Sequence, residues 1–457
     1  MHTKLLWAVI GIIMGVSLNA DDTSQQKPIS TKSNSQNEMF SLSQSLSQKN
    51  YDLPKSDQFN SPNYPINQLI SLIFETHPNI KMYQYAVKGA EAGVDGAKWN
   101  YFPTPKIETN YSTKKVDGTT LSLEQPLWTG GKLDAAYDMA IANKDASQYS
   151  LKESGYLLIE TLFNTLQTYL KAKEDLVALQ NGKNRLNRLE EMIMRREDSG
   201  VSSKADIELL KARVYQTETM INNAKNKKAI ALAQLELLIG RNMGDDLDFK
   251  NFSVYSCSSS EDVVKSMISQ HPTLEKLDAQ IAYAKAERDK AKAAVMPNVS
   301  IKAQKIYGSS SLYYQSNDND AIVYLSVQAS PGAGLSSLST REMAEVKIMQ
   351  LTQEKNLKKQ DLIDKTLTAY NNYLFADSRI SIQENSINAS QNVFESYIRL
   401  FLTGKRQWLD LVTASRELTD NELSYNETKI MHLIASYQLA LLDGKFNNIM
   451  RFNNDDL

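Results

Sequence analysis

Two spacings of apolar side chains organise this chain. Within residues 132–197, apolar and small residues return every seven positions, at Leu151, Leu158, Thr165, Ala172, Leu179, Leu186 and Ile193. Gly155, Leu162, Tyr169 and Leu176 complete that seam. A second series runs through Ile207, Val214 and Ile221, flanked by Leu210, Thr217, Ala224 and Ala231. A third joins Leu411, Leu418, Tyr425, His432, Leu439 and Phe446, with Ala414, Asn421, Thr428, Ala435 and Leu442 beside it. Heptad spacing predicts coiled-coil helices, and the many small residues let neighbouring helices approach closely. At about 1.5 Å per residue the 132–197 segment spans roughly 90 to 100 Å, too long for a compact globule.

The other spacing is two. Ile107, Thr109 and Tyr111 alternate with Glu108, Asn110 and Ser112, and Leu121 and Leu123 with Ser122 and Glu124. Farther on, Val299, Ile301 and Ala303 alternate with Ser300, Lys302 and Gln304. Val323, Leu325 and Val327 alternate with Tyr324, Ser326 and Gln328. These four runs predict strands with one apolar and one polar face. Polar segments, "KKVDG" and "GSSSLYYQSNDND", join them in pairs.

The punctuation repeats. His77-Pro78 returns as His271-Pro272, and Phe102-Pro103 as Met296-Pro297, each 194 residues later. Pro126 matches Pro331, Gly200 matches Gly404, and Asp206 matches Asp410. This order marks two structural repeats, 64–255 and 256–447, each reading helix, strand, strand, helix, helix. The first helices carry "HPNIKMYQYAVKGAEAGVDGAKWN" and "HPTLEKLDAQIAYAKAERDKAKAAV", each stopped by a proline.

Composition narrows the function. The chain has 457 residues and a net charge of −2, which gives no basic footprint for nucleic acid. Residues 1–20 pair an early lysine with an apolar run from Leu5 to Leu18 and end at Ala20, the form of a secretory signal peptide. A flexible polar leader follows over 21–63, and a polar tail closes the chain over 448–457. The single Cys257 has no partner for an intrachain disulfide. No HExxH, Walker loop or CxxC occurs, so we expect no enzyme, no cofactor and no metal site.

Four strands exported across a membrane meet a geometric limit. Every backbone group in hydrocarbon must be paired, and a closed barrel needs about eight strands. Two open edges leave on the order of ten unpaired groups, a penalty of tens of kcal/mol. Three copies supply twelve strands and remove the edges; two or four copies satisfy the same argument. The segment "LEQPLWTGGKLDAAYDMA" then reads as a corner between strand and helix. Pro126 is expected to end ladder pairing, Gly130-Gly131 to permit the turn, and Trp128 to sit at the lipid–water boundary with Tyr101 and Phe102.

These corners, the matched His-Pro and strand segments and "LTGKRQWLDLVTASRELTDNEL" resemble the TolC family of outer-membrane efflux and secretion ducts from about residue 65 to 447. The resemblance implies a mainly α protein with a small membrane β-barrel. Its long antiparallel coiled coils would form an α-barrel, and a homotrimer would share a twelve-stranded barrel. It also implies location in the outer membrane among outer-membrane lipid, with the helical barrel in the periplasm. Its partners would be a periplasmic adaptor and an inner-membrane efflux or type I secretion pump. Glu108, Lys302 and Lys305 would face the water-filled lumen. Gly200, Val201, Ser202, Gly404, Lys405 and Gln407, at the hairpin tips, would meet the adaptor. Ser202 and Thr403 would cap helix ends. Asp206, Arg406 and Asp410 would narrow the periplasmic gate; one turn beyond Asp410 stands Thr413, where some relatives carry a second Asp. The alternative from the residues alone is a non-pore periplasmic coiled-coil scaffold, for which four alternating strands have no use.

Overall fold

The computed structural model describes residues 65–110, 118–200, 202–244, 254–256, 259–307, 321–329 and 336–447. The signal segment, the leader, the tail, Val201, Cys257 and the turn containing Pro331 lie outside the described residues. The elements run α1 (Ile66–Thr76), α2 (Pro78–Trp99), β1 (Thr104–Asn110), β2 (Gly118–Trp128), α3 (Lys132–Asp198) and α4 (Lys204–Ile239). They then repeat as α5 (Ser260–Gln270), α6 (Pro272–Ala293), β3 (Asn298–Tyr307), β4 (Ile322–Gln328), α7 (Ser336–Leu402) and α8 (Trp408–Leu442).

Elements before the hairpin recur at an offset of 194 (Pro78 to Pro272), and those after it at 204 (Lys132 to Lys-equivalent Ser336). The extra ten residues therefore fall within the β3–β4 hairpin. The structure adds one helix per repeat to the expected order, α1 and α5, each running into a His-Pro pair. In both pairs the histidine is the N-cap and the proline the first helical residue. His77 Nδ1 accepts the Asn79 N–H at 3.2 Å, and His271 Nδ1 accepts the Thr273 N–H at 3.3 Å. The imidazole thus satisfies a donor that the helix start leaves free.

The heptad seams are where the spacing puts them. Leu151, Leu158, Thr165, Ala172, Leu179, Leu186 and Ile193 are all buried along α3. On α7 the buried row is Ala344, Leu351, Leu362, Ala369, Ala376, Phe394 and Phe401. Helix α1 inserts Ile66, Leu69, Ile70 and Ile73 against Ile159, Leu162, Phe163 and Leu166 of α3 and the C-terminal end of α4, forming the largest core. A second core joins the lower ends of α3, α4, α7 and α8 through Leu189, Ile193, Leu210, Phe394, Phe401 and Leu411. Between the two cores Arg185 forms a bidentate pair with Glu422 at 2.9 and 2.8 Å, tying α3 to α8.

The four strands form one antiparallel sheet in the order β1-β2-β3-β4. One face carries Lys106, Glu108, Ser122, Glu124, Ser300, Lys302 and Gln304; the other carries Ile107, Leu121, Leu123, Ile301, Ala303, Val323 and Leu325. Two sequence expectations need correction. Lys305 pairs in register with Leu121, so strand alternation puts it on the apolar face and not with Glu108 and Lys302. Pro126 does not end the ladder, because pairing continues past it to Trp128, opposite Val299, through an irregularity. A bulge absorbs the missing N–H without stopping the strand.

Gly130 and Gly131 both have positive φ, 62° and 87°. They differ in their surroundings: a Cβ on Gly130 would lie 2.3 Å from Met296 Cβ, whereas one on Gly131 meets nothing within 4 Å. Gly130→Ala therefore adds overpacking of about 1–3 kcal/mol to the backbone penalty that both substitutions share. Thermal unfolding in detergent is expected to show a larger loss for Gly130→Ala than for Gly131→Ala; equal losses would refute the close approach.

His271 is buried against Tyr156, and desolvation, with Lys365 contributing, lowers its pKa to about 4. The folded state thus holds it neutral while the unfolded chain protonates it near 6.5. Its contribution is complete above pH 6.5 and is lost as pH falls toward 4. Melting at pH 7 and 4.5 should reveal a loss of about 2 kcal/mol that His271→Asn, which keeps an N-cap acceptor, largely removes.

Candidate functional site: hairpin tips and membrane corner

The tip between α3 and α4 is built by backbone chemistry. Gly200 adopts φ 75°, its N–H donates to Glu197 O at 2.7 Å, and the Ser202 N–H donates to Arg196 O at 3.3 Å. Helix α4 then starts with a reciprocal capping box. The Asp206 N–H donates to Ser203 Oγ at 3.2 Å, and the Ser203 N–H donates to Asp206 Oδ2 at 3.1 Å. Ser203, rather than Ser202, is therefore the cap, because only its hydroxyl stands at the residue before the first helical turn.

The second tip closes α7 in the same way and opens α8 differently. Gly404 has φ 73°, and the Gly404 and Lys405 N–H groups donate to Phe401 O and Leu400 O at 3.0 and 2.9 Å. This satisfies the last carbonyls of α7 in a Schellman turn. The Thr403 hydroxyl adds a bond to Leu400 O at 3.0 Å, as expected of a helix-end cap. Gln407 is the N-cap of α8 but makes no side-chain capping bond. Arg406 instead pairs with Asp410 at 3.3 Å, and its guanidinium lies 4.5 Å from the centre of the Tyr397 ring. Both members are about two-fifths exposed (42% and 39%), so the pair is hydrated and contributes little to stability by itself. Thr413 turns its hydroxyl back to Leu409 O at 2.9 Å.

The gate candidates are thus brought to adjacent tips but not into one cluster. Within this chain Arg406 and Asp410 pair, while Asp206 is held in its own capping box. A residue outside the expected site links the tips. Arg196, near the end of α3, donates to Phe401 O at 3.3 Å and lies 4.6 Å from the Phe401 ring centre. A basic residue in a last helical turn has a dipole role in any sequence, so nothing in the spacing marked this contact. Between the tips lies a cleft of about 420 Å³, lined by Met192, Arg195, Arg196, Ser199, Phe401 and Gly404.

At the other end, aromatic residues gather where helices meet the sheet. Trp128, Tyr101 and Phe102 are all exposed. Trp99, outside the expected boundary set, is exposed as well and stands 5.3 Å from Phe102 between ring centres. The Tyr101 hydroxyl donates to Asp134 Oδ1 at 2.7 Å, and Gln125 Nε2 donates to Tyr101 O at 3.0 Å. The corner is thereby held polar on its helix side and apolar on its sheet side. Among the described residues no helix is long and apolar enough to cross a membrane.

Known proteins agree with this arrangement. The chain resembles a solved membrane protein from Pseudomonas aeruginosa at 14% identity and a TM-score of 0.73, over 86% of this chain and 96% of that one. It resembles the outer membrane protein VceC of Vibrio cholerae at 13% identity and a TM-score of 0.71, over 83% and 96%. It resembles the CmeC outer membrane channel of Campylobacter jejuni at 14% identity and a TM-score of 0.66, over 86% and 91%. No curated protein matches it by sequence. At these identities the likeness establishes the fold. The profile of the family described as outer membrane efflux protein matches residues 69–241 and 263–445, one segment in each repeat. An outer-membrane efflux channel, not a non-pore scaffold, is the function that fits family and fold together, and this chain belongs to the outer membrane efflux protein family.

Proposed function

We propose that three copies of this chain form a continuous duct: a twelve-stranded barrel across the outer membrane and a helical barrel below it in the periplasm. The observation that carries the reading is a pair of matching open edges in both layers. The sheet ends at β1 on one side and β4 on the other. The helical wall runs α2 and α4, then α3, then α6 and α8, then α7, so α7 ends one side and α2 with α4 the other. Helix α7 also leaves Met343, Val346, Met349, Leu357, Phe375 and Ile382 exposed, an apolar surface suited to a neighbouring copy. Edge joins edge at every level if each copy meets the next in the same way.

In this duct Glu108 and Lys302 line the lumen, and solutes pass by diffusion once the lower end opens. Energy comes from an inner-membrane efflux or secretion pump, coupled through a periplasmic adaptor. The adaptor meets the tips at Gly200, Val201, Ser202, Gly404, Lys405 and Gln407. The exposed Arg406–Asp410 pair and the Asp206 capping box, repeated about a three-fold axis, form the charged periplasmic gate. The chemistry of the tips supports unequal roles. Asp206 is committed to its own helix start, whereas Arg406 and Asp410 can exchange partners with a neighbouring copy.

Alanine at Arg406 and Asp410 together is expected to raise the resting conductance of the channel in planar bilayers, with Asp206→Asn a weaker opener. Unchanged conductance in the double variant would remove the pair from the gate. Because Asp206 completes the capping box that starts α4, Asp206→Ala should also cost about 1 kcal/mol in thermal unfolding. A single-site Ala at Asp410 should cost less than about 1 kcal/mol.

A further inference from the structure

Lys305 breaks the pattern of the apolar face. Its neighbours on that face are Ile301 and Ala303 along β3 and Leu121 across on β2. The two other lysines of the sheet have carboxylate partners on the polar face: Lys106 with Glu108 at 2.8 Å and Lys302 with Glu124 at 3.3 Å. Among the described residues no carboxylate pairs with Lys305. Its ammonium lies instead 5.1 Å from the centre of the Tyr307 ring.

Position along the strand gives this cation a meaning. Lys305 is six residues from Val299, which lies opposite Trp128 at the helix-side boundary. Six steps cover roughly 20 Å of strand, and a tilted strand crosses an apolar band about 25 Å tall. At a tilt of about 40° those steps rise about 15 Å, so the Lys305 backbone lies just past the middle of the band, toward the side away from the helices. A flexible stem carries the ammonium up toward the exposed Tyr307 ring, at the depth where tyrosine is favoured. Beside Tyr307 in register stands Thr119, and beside Thr119 stands Thr109, with the two threonine hydroxyls 3.3 Å apart. The outer rim of the apolar face thus presents one unneutralised cation and three hydroxyl groups in a short arc. A phosphate accepts both hydrogen bonds and charge from such a set.

We propose that Lys305, with the hydroxyls of Tyr307, Thr119 and Thr109, is a docking site for the phosphate of an anionic lipid headgroup in the outer leaflet, one site per copy. It rests on the barrel reading above, which makes this face the one that meets lipid. The site lies outside the lumen and apart from the tips, so its occupant is a boundary lipid and not cargo.

The test is lipid retention by the full-length protein in detergent, read by native mass spectrometry. The probes are diphosphorylated lipid A, the same lipid with its phosphates removed, and inorganic phosphate. The protein should retain the phosphorylated lipid, and Lys305→Gln should weaken retention about fivefold, as expected for one basic contact. Lys305→Arg should restore it, and Lys106→Gln, on the opposite face, should leave it unchanged. Equal retention by Lys305→Gln and the parent protein would overturn the proposal. So would equal retention of the dephosphorylated lipid, or an equal loss in Lys106→Gln. Displacement of the lipid by millimolar inorganic phosphate would reassign the arc to a free anion and overturn the lipid assignment. Conductance of the same preparations in planar bilayers separates the outcomes: a parent protein that conducts but retains no phosphorylated lipid refutes the site alone, whereas absent conductance in every form refutes the barrel.

Discussion

Backbone N–H and C=O groups at a sheet edge have nothing to bond to in hydrocarbon, and each exposed group costs several kcal/mol. That constraint governs the molecule. The sheet of this chain has four strands and two edges, and its apolar face fits lipid only if those edges are joined to others. Helices continue directly from the strands: α2 leads into β1, β2 into α3, α6 into β3 and β4 toward α7. The number of copies that closes the sheet therefore fixes the number of helices in the wall below. Helices α3 and α7 are each 67 residues long, so the two repeats contribute long helices of equal length.

The chain folds as two nearly equal halves, and the proposed gate rests on their small inequalities. One lies in the hairpins, where the second repeat is ten residues longer between corresponding helices. The other lies at the tips. The first uses Ser203 and Asp206 to cap α4 reciprocally, a self-contained arrangement. The second starts α8 at Gln407 without a side-chain cap and leaves Arg406 and Asp410 paired at the surface. A gate needs groups that can change partners at low cost, and a hydrated pair meets that need better than a capping box. The bidentate Arg185–Glu422 pair higher in the wall is less exposed and holds α3 to α8 while the tips differ.

Much of this was legible in the sequence because its causes are local or periodic. The row from Leu151 to Ile193 is buried throughout, the rows through Val214 and Leu411 are buried except at the half-buried Ile207 and Tyr425, and the period-two residues lie in strands except Tyr111 and Ser112, which fall outside the described residues. The His-Pro pairs were recognised as punctuation; that the imidazole itself is the cap depends on backbone geometry that spacing does not carry. Helices α1 and α5 carry only a weak local signal: Ile66, Leu69, Ile70 and Ile73 have helical spacing, but eleven residues stand beside helices several times longer. The family resemblance places Lys305 in the lumen, whereas strand parity, counted through Ile301 and Ala303, puts it on the opposite face. Arg196 on Phe401 and Arg185 on Glu422 join residues more than two hundred positions apart, and no local pattern contains such pairs.

Copy number tests the central claim most directly. The mature protein, extracted from membranes in mild detergent, can be weighed by light scattering or native mass spectrometry with bound detergent subtracted. The proposed twelve-stranded barrel predicts three chains per particle, and shared closure of the sheet predicts no stable folded single chain in detergent. A homogeneous, folded single-chain particle, or a chain that stays dissolved and folded without detergent, would contradict it.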